Sequence, residues 1–331
     1  MDGNIILRKK KLINLLVILF VFSFFTGCIN NENSMDGRVK ILDRNLFFDS
    51  IMQAVDSSYD GETLIVGAGS YNEFVNIYRS IKLLADDKEN TIIDATGNGD
   101  GINIVADNVE INGFIIKNAG DRGYPSYDSG IDVKSNNNTI INNRIFNNKN
   151  FGIYLYKSSN NTIENNFISN NTMGIYVDGS YAYMIFDNNI SKNHISENLE
   201  KGIYLSYCFN SSIVNNNISN NDYGFHMQHC DDNFVSDNLF YNNIKGLFFC
   251  CGTEDNYVFR NIFINNSEYN AMSNTKNFFD YNGFGNFWDD YKGSDDDFDG
   301  IGDEPYVLTH HQSIDVNNSD NYPYINKNLL K

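Results

Sequence analysis

The 331 residues carry 24 Lys and Arg against 42 Asp and Glu, a formal charge of −18 and a pI near 4.5. Nucleic-acid surfaces need clustered Lys and Arg to neutralise phosphates, so this balance excludes a nucleic-acid partner. With 41% hydrophobic residues the chain can bury a sizeable core, three Pro leave no proline-rich linker, and five Cys (28, 208, 230, 250 and 251) are too few for a disulfide scaffold.

Residues 1–28 read as an export signal. Arg8, Lys9, Lys10 and Lys11 precede an apolar run over 12–25, which is shorter than the ~20 residues a membrane-spanning helix needs. Phe25-Thr26-Gly27-Cys28 has the form of a lipobox, which makes Cys28 the lipidated first residue of the mature chain. An uncleaved N-terminal anchor is the alternative. Either way the remainder is expected outside the cytoplasm, held to the membrane. Residues 29–46 are polar and predict a tether.

Residues 47–58 predict a short amphipathic helix capped by Asp49 or Ser50, with Ile51, Ala54 and Val55 facing inward as a lid over the open end of a stack of strands. Residues 62–69, 71–73, 81–84 and 91–93 predict the first, less regular strands. Residues 101–104 and 109–114 make an early coil with Asn112 in its corner, and 121–129 form a loop.

From residue 130 the chain repeats. Gly130, Gly152, Gly174, Gly202, Gly224 and Gly246 are separated by 22, 22, 28, 22 and 22 residues. Each is followed by two alternating apolar residues, such as Ile131 and Val133 or Ile153 and Leu155. A second apolar column runs through Ile140, Ile163, Ile185, Ile213, Val235 and Val258. Three residues later stand Asn143, Asn166, Asn188, Asn216, Asn238 and Asn261; eight later, Asn148, Asn171, Asn193, Asn221, Asn243 and Asn266. A period of two interrupted by tight corners is strand periodicity, and β-branched residues fill the inward columns. Asn and Gly tolerate the left-handed corner conformation, and stacked amides form ladders between coils. No unit can bury its own apolar face, so the units must stack. The expected fold is all-β: a single-stranded right-handed parallel β-helix of about 22 residues per coil over 47–285, with an acidic tail over 286–331. The six extra residues of the long unit are placed at 194–201.

The opening Gly-Glu-Thr-Leu-Ile-Val-Gly-Ala-Gly-Ser-Tyr-Asn-Glu (61–73), the Asn-x-Ile-x-x-Asn-x-Ile repeats and the tail Asn-Phe-Trp-Asp-Asp-Tyr-Lys-Gly-Ser-Asp-Asp-Asp-Phe-Asp-Gly-Ile-Gly-Asp-Glu-Pro-Tyr (286–306) resemble NosD-type β-helix proteins over about residues 47–325. That family is named for a periplasmic copper-binding protein of nitrous oxide reductase maturation. The resemblance implies the β-helix and a place outside the cytoplasm. It also brings copper handling into consideration, while the fold is shared with carbohydrate-binding proteins and sugar hydrolases.

Three clusters are chemical candidates. Asp295, Asp297, Asp299, Gly300 and Asp303 match the opening of a calcium loop, whose alternate carboxylates supply hard oxygen ligands. The twelfth position is Tyr306, where a bidentate Glu is expected, and a merely solvated acidic loop is the plain alternative. The outward column Asp132, Tyr154, Tyr176, Tyr204, His226 and Phe248 predicts an exposed stripe of rings able to stack on sugars, or a ladder that only stabilises the sheet. Cys208, His226, His229 and Cys230, with Met227, Cys250 and Cys251 nearby, offer soft ligands for copper or zinc. Cys208 and Cys230, 22 residues apart, would equally form a disulfide or a buried stack.

Catalysis has the least support. Asp231-Asp232 is the one close carboxylate pair in the repeats, and Arg122, Arg144 and Arg260 look isolated. Sequons begin at Asn137, Asn160, Asn170, Asn189, Asn210, Asn217, Asn265 and Asn317. The expected function is non-catalytic binding of a glycan or an envelope component at the cell surface. Copper handling is the alternative, and a polysaccharide-active enzyme the third reading.

Overall fold

The computed structural model describes residues 35, 37–123, 127–308 and 318–330; the signal, Cys28 and residues 29–34 and 36 of the expected tether lie outside them. The fold is a parallel β-solenoid of about ten turns with about 23 residues each. Three sheets run its length, with eleven, ten and nine strands. In sequence each coil passes from the third sheet (Phe151–Tyr156, for example) to the first (Thr162–Glu164) and then the second (Phe167–Ser169). Parallel pairing holds the inward columns in line: Ile131 beside Ile153, Ile140 beside Ile163, Ile145 beside Ile168. All six are fully buried.

The N-terminal end departs from the expected tether. Val39–Ile41 pairs antiparallel with both Leu46–Phe48 and Thr63–Val66, so the chain enters the first sheet before residue 46. The helix is confined to Ile51–Ser57, capped by Ser50, whose Oγ accepts the Gln53 N–H at 3.1 Å. Ile51, Ala54 and Val55 are buried against the first coil, as their spacing predicts. Among the described residues no helix is long and apolar enough to cross a membrane.

The corners divide the work of asparagine between two adjacent residues. The first takes a left-handed backbone, with φ of +59° at Asn142, +54° at Asn165 and +54° at Asn170. The second turns inward and is buried. Asn166 Oδ1 accepts the backbone N–H of Asn143 at 2.9 Å and its Nδ2 at 3.1 Å, and Asn193 Oδ1 receives Asn166 in the same way. Three such ladders run through the described residues. The repeat pattern predicts two of them; the third runs through Asn138, Asn161 and Asn188, then Ser211, Asn233, Asn256 and Asn277. Asn112 is not a rung, because it lies in the strand Glu110–Asn112; Phe114 holds the equivalent corner and donates its N–H to Asn143.

The long unit is threaded five residues away from the expected register. Ile190, rather than Ile185, pairs with Ile163 and Ile213, and Ile195 pairs with Ile168 and Ile218. Asn188 and Asn193 therefore each move one ladder over, and Asn198 takes the place expected of Asn193. The extra residues are not at 194–201, where His194–Ser196 is a regular strand. They form a projecting loop over 179–184, closed by the Ser180–Tyr183 bridge, with Tyr181 83% exposed.

At the far end the tail closes the stack. Asn277 donates its N–H to Asn318 Oδ1, and Asn286 donates to Asp320 Oδ2. The inward column of the second sheet turns aromatic there. Phe240, Phe263, Trp288 and Tyr306 stack at 4.8, 4.4 and 4.3 Å.

Candidate ligand-binding face

The third sheet has the longest strands of the repeat, five or six residues in each coil from Ser129 onward, and so the broadest flat face. Strand alternation puts Ile153 and Leu155 inward and Tyr154 outward, and parallel register then aligns one outward residue from each coil. The column runs Asn76, Asn103, Asp132, Tyr154, Tyr176, Tyr204, His226, Phe248 and Met272. From Tyr154 to Phe248 successive ring centroids are 5.4, 4.7, 4.9 and 5.0 Å apart.

The stripe is less exposed than alternation predicts. Tyr154 is only 7% exposed, and the four rings after it are half-buried. Neighbouring side chains lean over the column from its flanks: Phe151 onto Tyr154 and Tyr176, Tyr223 onto His226 and Phe248. Lys201 stands 4.4 Å from the Tyr204 ring centroid. Tyr154 donates its hydroxyl proton to Asp178 Oδ2 at 2.5 Å. Burial and that carboxylate push its pKa upward, so the phenol stays neutral.

Where the column leaves the rings, it enters a cavity of about 320 Å³ that the sequence did not disclose. Asp100, Arg122, Asp132, Lys134 and Asn103 line it together with Phe74, Tyr127, Tyr154 and Tyr156. Asp100, Asp128 and Asp132 are 4%, 1% and 2% exposed. Arg122, isolated in the sequence, joins this group: Nε lies 2.5 Å from Asp128 Oδ1 and a terminal nitrogen 3.7 Å from Asp100 Oδ2. Lys134 Nζ binds Asp132 Oδ2 and reaches Asn103 Oδ1 at 3.1 Å. Burial first, and then the Asp132 charge, raise Asp100 to about 6. Burial also raises Asp132, against the pull of Lys134. One signal was present in the sequence: Asp100-Gly101 and Ser129-Gly130 occupy equivalent places in successive coils, and Asp100 Oδ1 accepts the Ser129 N–H at 2.7 Å.

The four soft residues expected to bind copper do not converge. Cys208 and Cys230 are free thiols buried in the core, where their Sγ atoms face the Ser206 and Gln228 carbonyls. His229 sits at an outer corner and stacks on Tyr207 at 4.5 Å. His226 instead meets Cys250, with Nε2 3.3 Å from Sγ, and Cys250 Sγ lies 2.6 Å from that of Cys251. Burial lowers His226 to about 3 and pushes Cys250 up to about 12, leaving a neutral imidazole beside a protonated thiol. A cysteine binds copper as the thiolate and a histidine as the neutral ring, but among the described residues Cys208, Cys230, His226 and His229 do not close around one ion, so their arrangement does not fit a copper centre.

Among the described residues the one group of three acidic, His or Cys ligand atoms mutually within 4.8 Å is Asp295, Asp297 and Asp299. Asp303 stands outside that group, its Oδ2 accepting the Asp296 N–H of the same loop at 2.7 Å. Asp231 accepts the Glu254 N–H at 2.9 Å at a corner, and Asp232 has φ of +59°, so that carboxylate pair shapes a turn. Of the sequon residues, Asn137, Asn160, Asn170, Asn210 and Asn265 occupy exposed left-handed corners.

The model of one protein family, described as periplasmic copper-binding protein (NosD), matches residues 55–293. A cell surface glycoprotein of Methanothermus fervidus is 33% identical over 139 residues, covering 41% of this chain and 21% of that protein. The chain thus spans about a fifth of the length of that relative. An alginate lyase from Paenibacillus is similar in structure with a TM-score of 0.46 and 15% identity, over 68% of this chain and 91% of that one. A DFA-IIIase from Arthrobacter chlorophenolicus gives 0.49 and 13%, over 71% and 70%. Neither structural likeness bears on what this chain does.

Proposed function

The chain belongs to the NosD family, and on that premise we propose that it is an extracytoplasmic surface protein whose third sheet binds a glycan chain. One observation carries the reading: five outward rings, from Tyr154 to Phe248, follow one another at 4.7–5.4 Å along a flat sheet. The column of stacked rings offers a continuous apolar strip to the faces of sugar rings, and flanking Lys and Asp side chains offer hydrogen bonds to hydroxyls. The half-burial of the rings is consistent with this use, because their neighbours hold them in place before any ligand arrives. The name of the Methanothermus fervidus relative places that protein at the cell surface, which supports the same location here. Attachment through Cys28 is part of the proposal.

Glycan-array binding of the full chain tests it. Tyr176→Ala and Tyr204→Ala should each weaken binding at least tenfold while leaving the circular-dichroism spectrum unchanged. An intact protein that binds no glycan on the array refutes the reading.

Calcium is the cation we propose for the loop of Asp295, Asp297 and Asp299. Ligands that bind only the folded state raise its stability, by about 2.7 kcal/mol at a hundredfold excess over Kd. Added calcium should therefore raise the melting temperature of the wild type and leave that of Asp297→Ala unmoved. Equal melting curves for the wild type with calcium and with chelator count against it.

A further inference from the structure

We infer that the cavity at the Asp132 end of the ring column is a subsite for one neutral sugar unit. The inference rests on the glycan reading above and says which residues would select the sugar.

The outward column changes chemistry at one point. Tyr154 is followed along the same line by Asp132 and Asn103, so aromatic rings give way to hydrogen-bonding groups within two coils. The cavity there, about 320 Å³, lies at the small end of the ~300–1,000 Å³ range of ligand sites, which suits a single ring rather than a chain segment. Phe74 and Tyr156, 45% and 37% exposed, supply apolar walls. This is the usual make-up of a small-molecule site: apolar sides and a few placed polar groups.

Asp132 supplies the second, independent observation. Its side chain is 3% exposed, and Lys134 holds Oδ2. Oδ1 has no hydrogen-bond partner among the described residues. Buried acceptors are almost always paired, and a buried acceptor left without a donor costs free energy. A ligand hydroxyl would supply the missing proton donor.

The charges define the class of sugar. Among the described residues Asp100, Asp128 and Asp132 face only the cations Arg122 and Lys134, and both are already engaged with those carboxylates. The group carries one net negative charge, and the whole chain −18. A uronate or sulfated sugar would bring its anion to an already negative wall, whereas a neutral pyranose brings hydroxyl donors for Asp132 Oδ1 and Asn103 Oδ1.

Calorimetry on the full chain tests this, using the methyl glycosides of glucose, galactose, mannose and N-acetylglucosamine, methyl glucuronide as the anionic control, and calcium chloride alone. At least one neutral glycoside should bind, and the glucuronide should bind tenfold more weakly or not at all. Asp132→Asn should lower affinity at least tenfold, because Lys134 will take the amide oxygen and leave a donor where the acceptor stood. Phe74→Ala, at a position 45% exposed, should do the same with an unchanged circular-dichroism spectrum. Tyr204→Ala, remote from the cavity, should leave methyl-glycoside binding within twofold. Three outcomes overturn the subsite: neutral glycosides bind both cavity variants as they bind the wild type; the glucuronide binds best; or the cavity carboxylates take calcium and no sugar. If longer oligosaccharides lose affinity in Tyr204→Ala but not in the two cavity variants, the ring column binds glycan and the subsite falls alone. Binding of neither short nor long sugars removes both.

Discussion

Asp320 stands where the next asparagine of a ladder would stand beyond Asn286. Its Oδ2 accepts the Asn286 backbone N–H at 2.6 Å and Asn286 Nδ2 at 3.3 Å, as Asn286 Oδ1 accepts both groups of Asn261 at 3.0 Å. The same oxygen accepts Trp288 Nε1–H at 2.8 Å. One carboxylate thus ends a ladder and holds a buried ring of the aromatic column of the core.

Replacing it should be costly. Asp320→Ala leaves the Asn286 N–H and the Trp288 indole N–H buried without an acceptor, and such losses cost on the order of 3 kcal/mol together. Denaturant melts should show a lower midpoint with an unchanged slope. A midpoint equal to that of the wild type would mean that the tail does not cap the solenoid.

The same residue predicts a pH dependence. Burial outweighs the hydrogen bonds donated to Asp320 and raises it from an ordinary 3.8 to about 7, and Asp100 rises to about 6. Between pH ~4 and ~7 the folded chain therefore keeps a proton at Asp320 that the unfolded chain has released. Stability must fall as pH rises through that window, and the contribution is fully present only below it. Relative to Asp320→Asn, the wild type should lose melting temperature from pH 4 to pH 7 and no more above it. Parallel curves for the two proteins would show that Asp320 is ionised throughout.

The two asparagines of a corner should behave differently. Asn166 lies buried, accepting from Asn143 and donating to the Ile140 carbonyl at 2.9 Å, so Asn166→Ala unpairs several groups at once and should cost on the order of 3 kcal/mol. The exposed Asn165 carries the left-handed backbone and donates its Nδ2 to Asn142 Oδ1 at 2.5 Å, and Asn165→Ala should cost roughly 1–2 kcal/mol. Asn165→Gly should cost less than Asn165→Ala. Thermal melts of the three variants check this order.

The threading of the long unit can be tested by deletion. Removing five residues from 179–184 shortens an exposed loop and should change stability by only about 0.5 kcal/mol. Removing five from 194–201 takes out the strand His194–Ser196, with Ile195 in the core, and should prevent folding. Soluble expression and circular dichroism distinguish the two; equal behaviour would put the insertion at 194–201, where the repeat pattern alone places it.

That misplacement shows what a repeat conceals. Ile185, Asn188, Ile190 and Asn193 satisfy the repeat as well as Ile190, Asn193, Ile195 and Asn198 do, because the spacing within a unit is itself five residues. Local pattern cannot choose between the two threadings. Hydrogen bonds to the coils on either side can, since only one threading puts Asn193 between Asn166 and Asn216.

The sequence by itself determined the solenoid, the ring column and the acidic loop, because each is written at a constant spacing that stacking converts directly into contact. Which asparagine forms which ladder, how deeply the rings sit, and where His226 finds a thiol were decided by side chains from other coils. The cavity is the clearest case. Asp100, Arg122 and Asp132 come from the turn before one strand, a loop and the following coil, and no single repeat unit carries the three together. Only the winding of the chain brings three buried carboxylates beside the last ring and leaves one of their oxygens waiting for a donor.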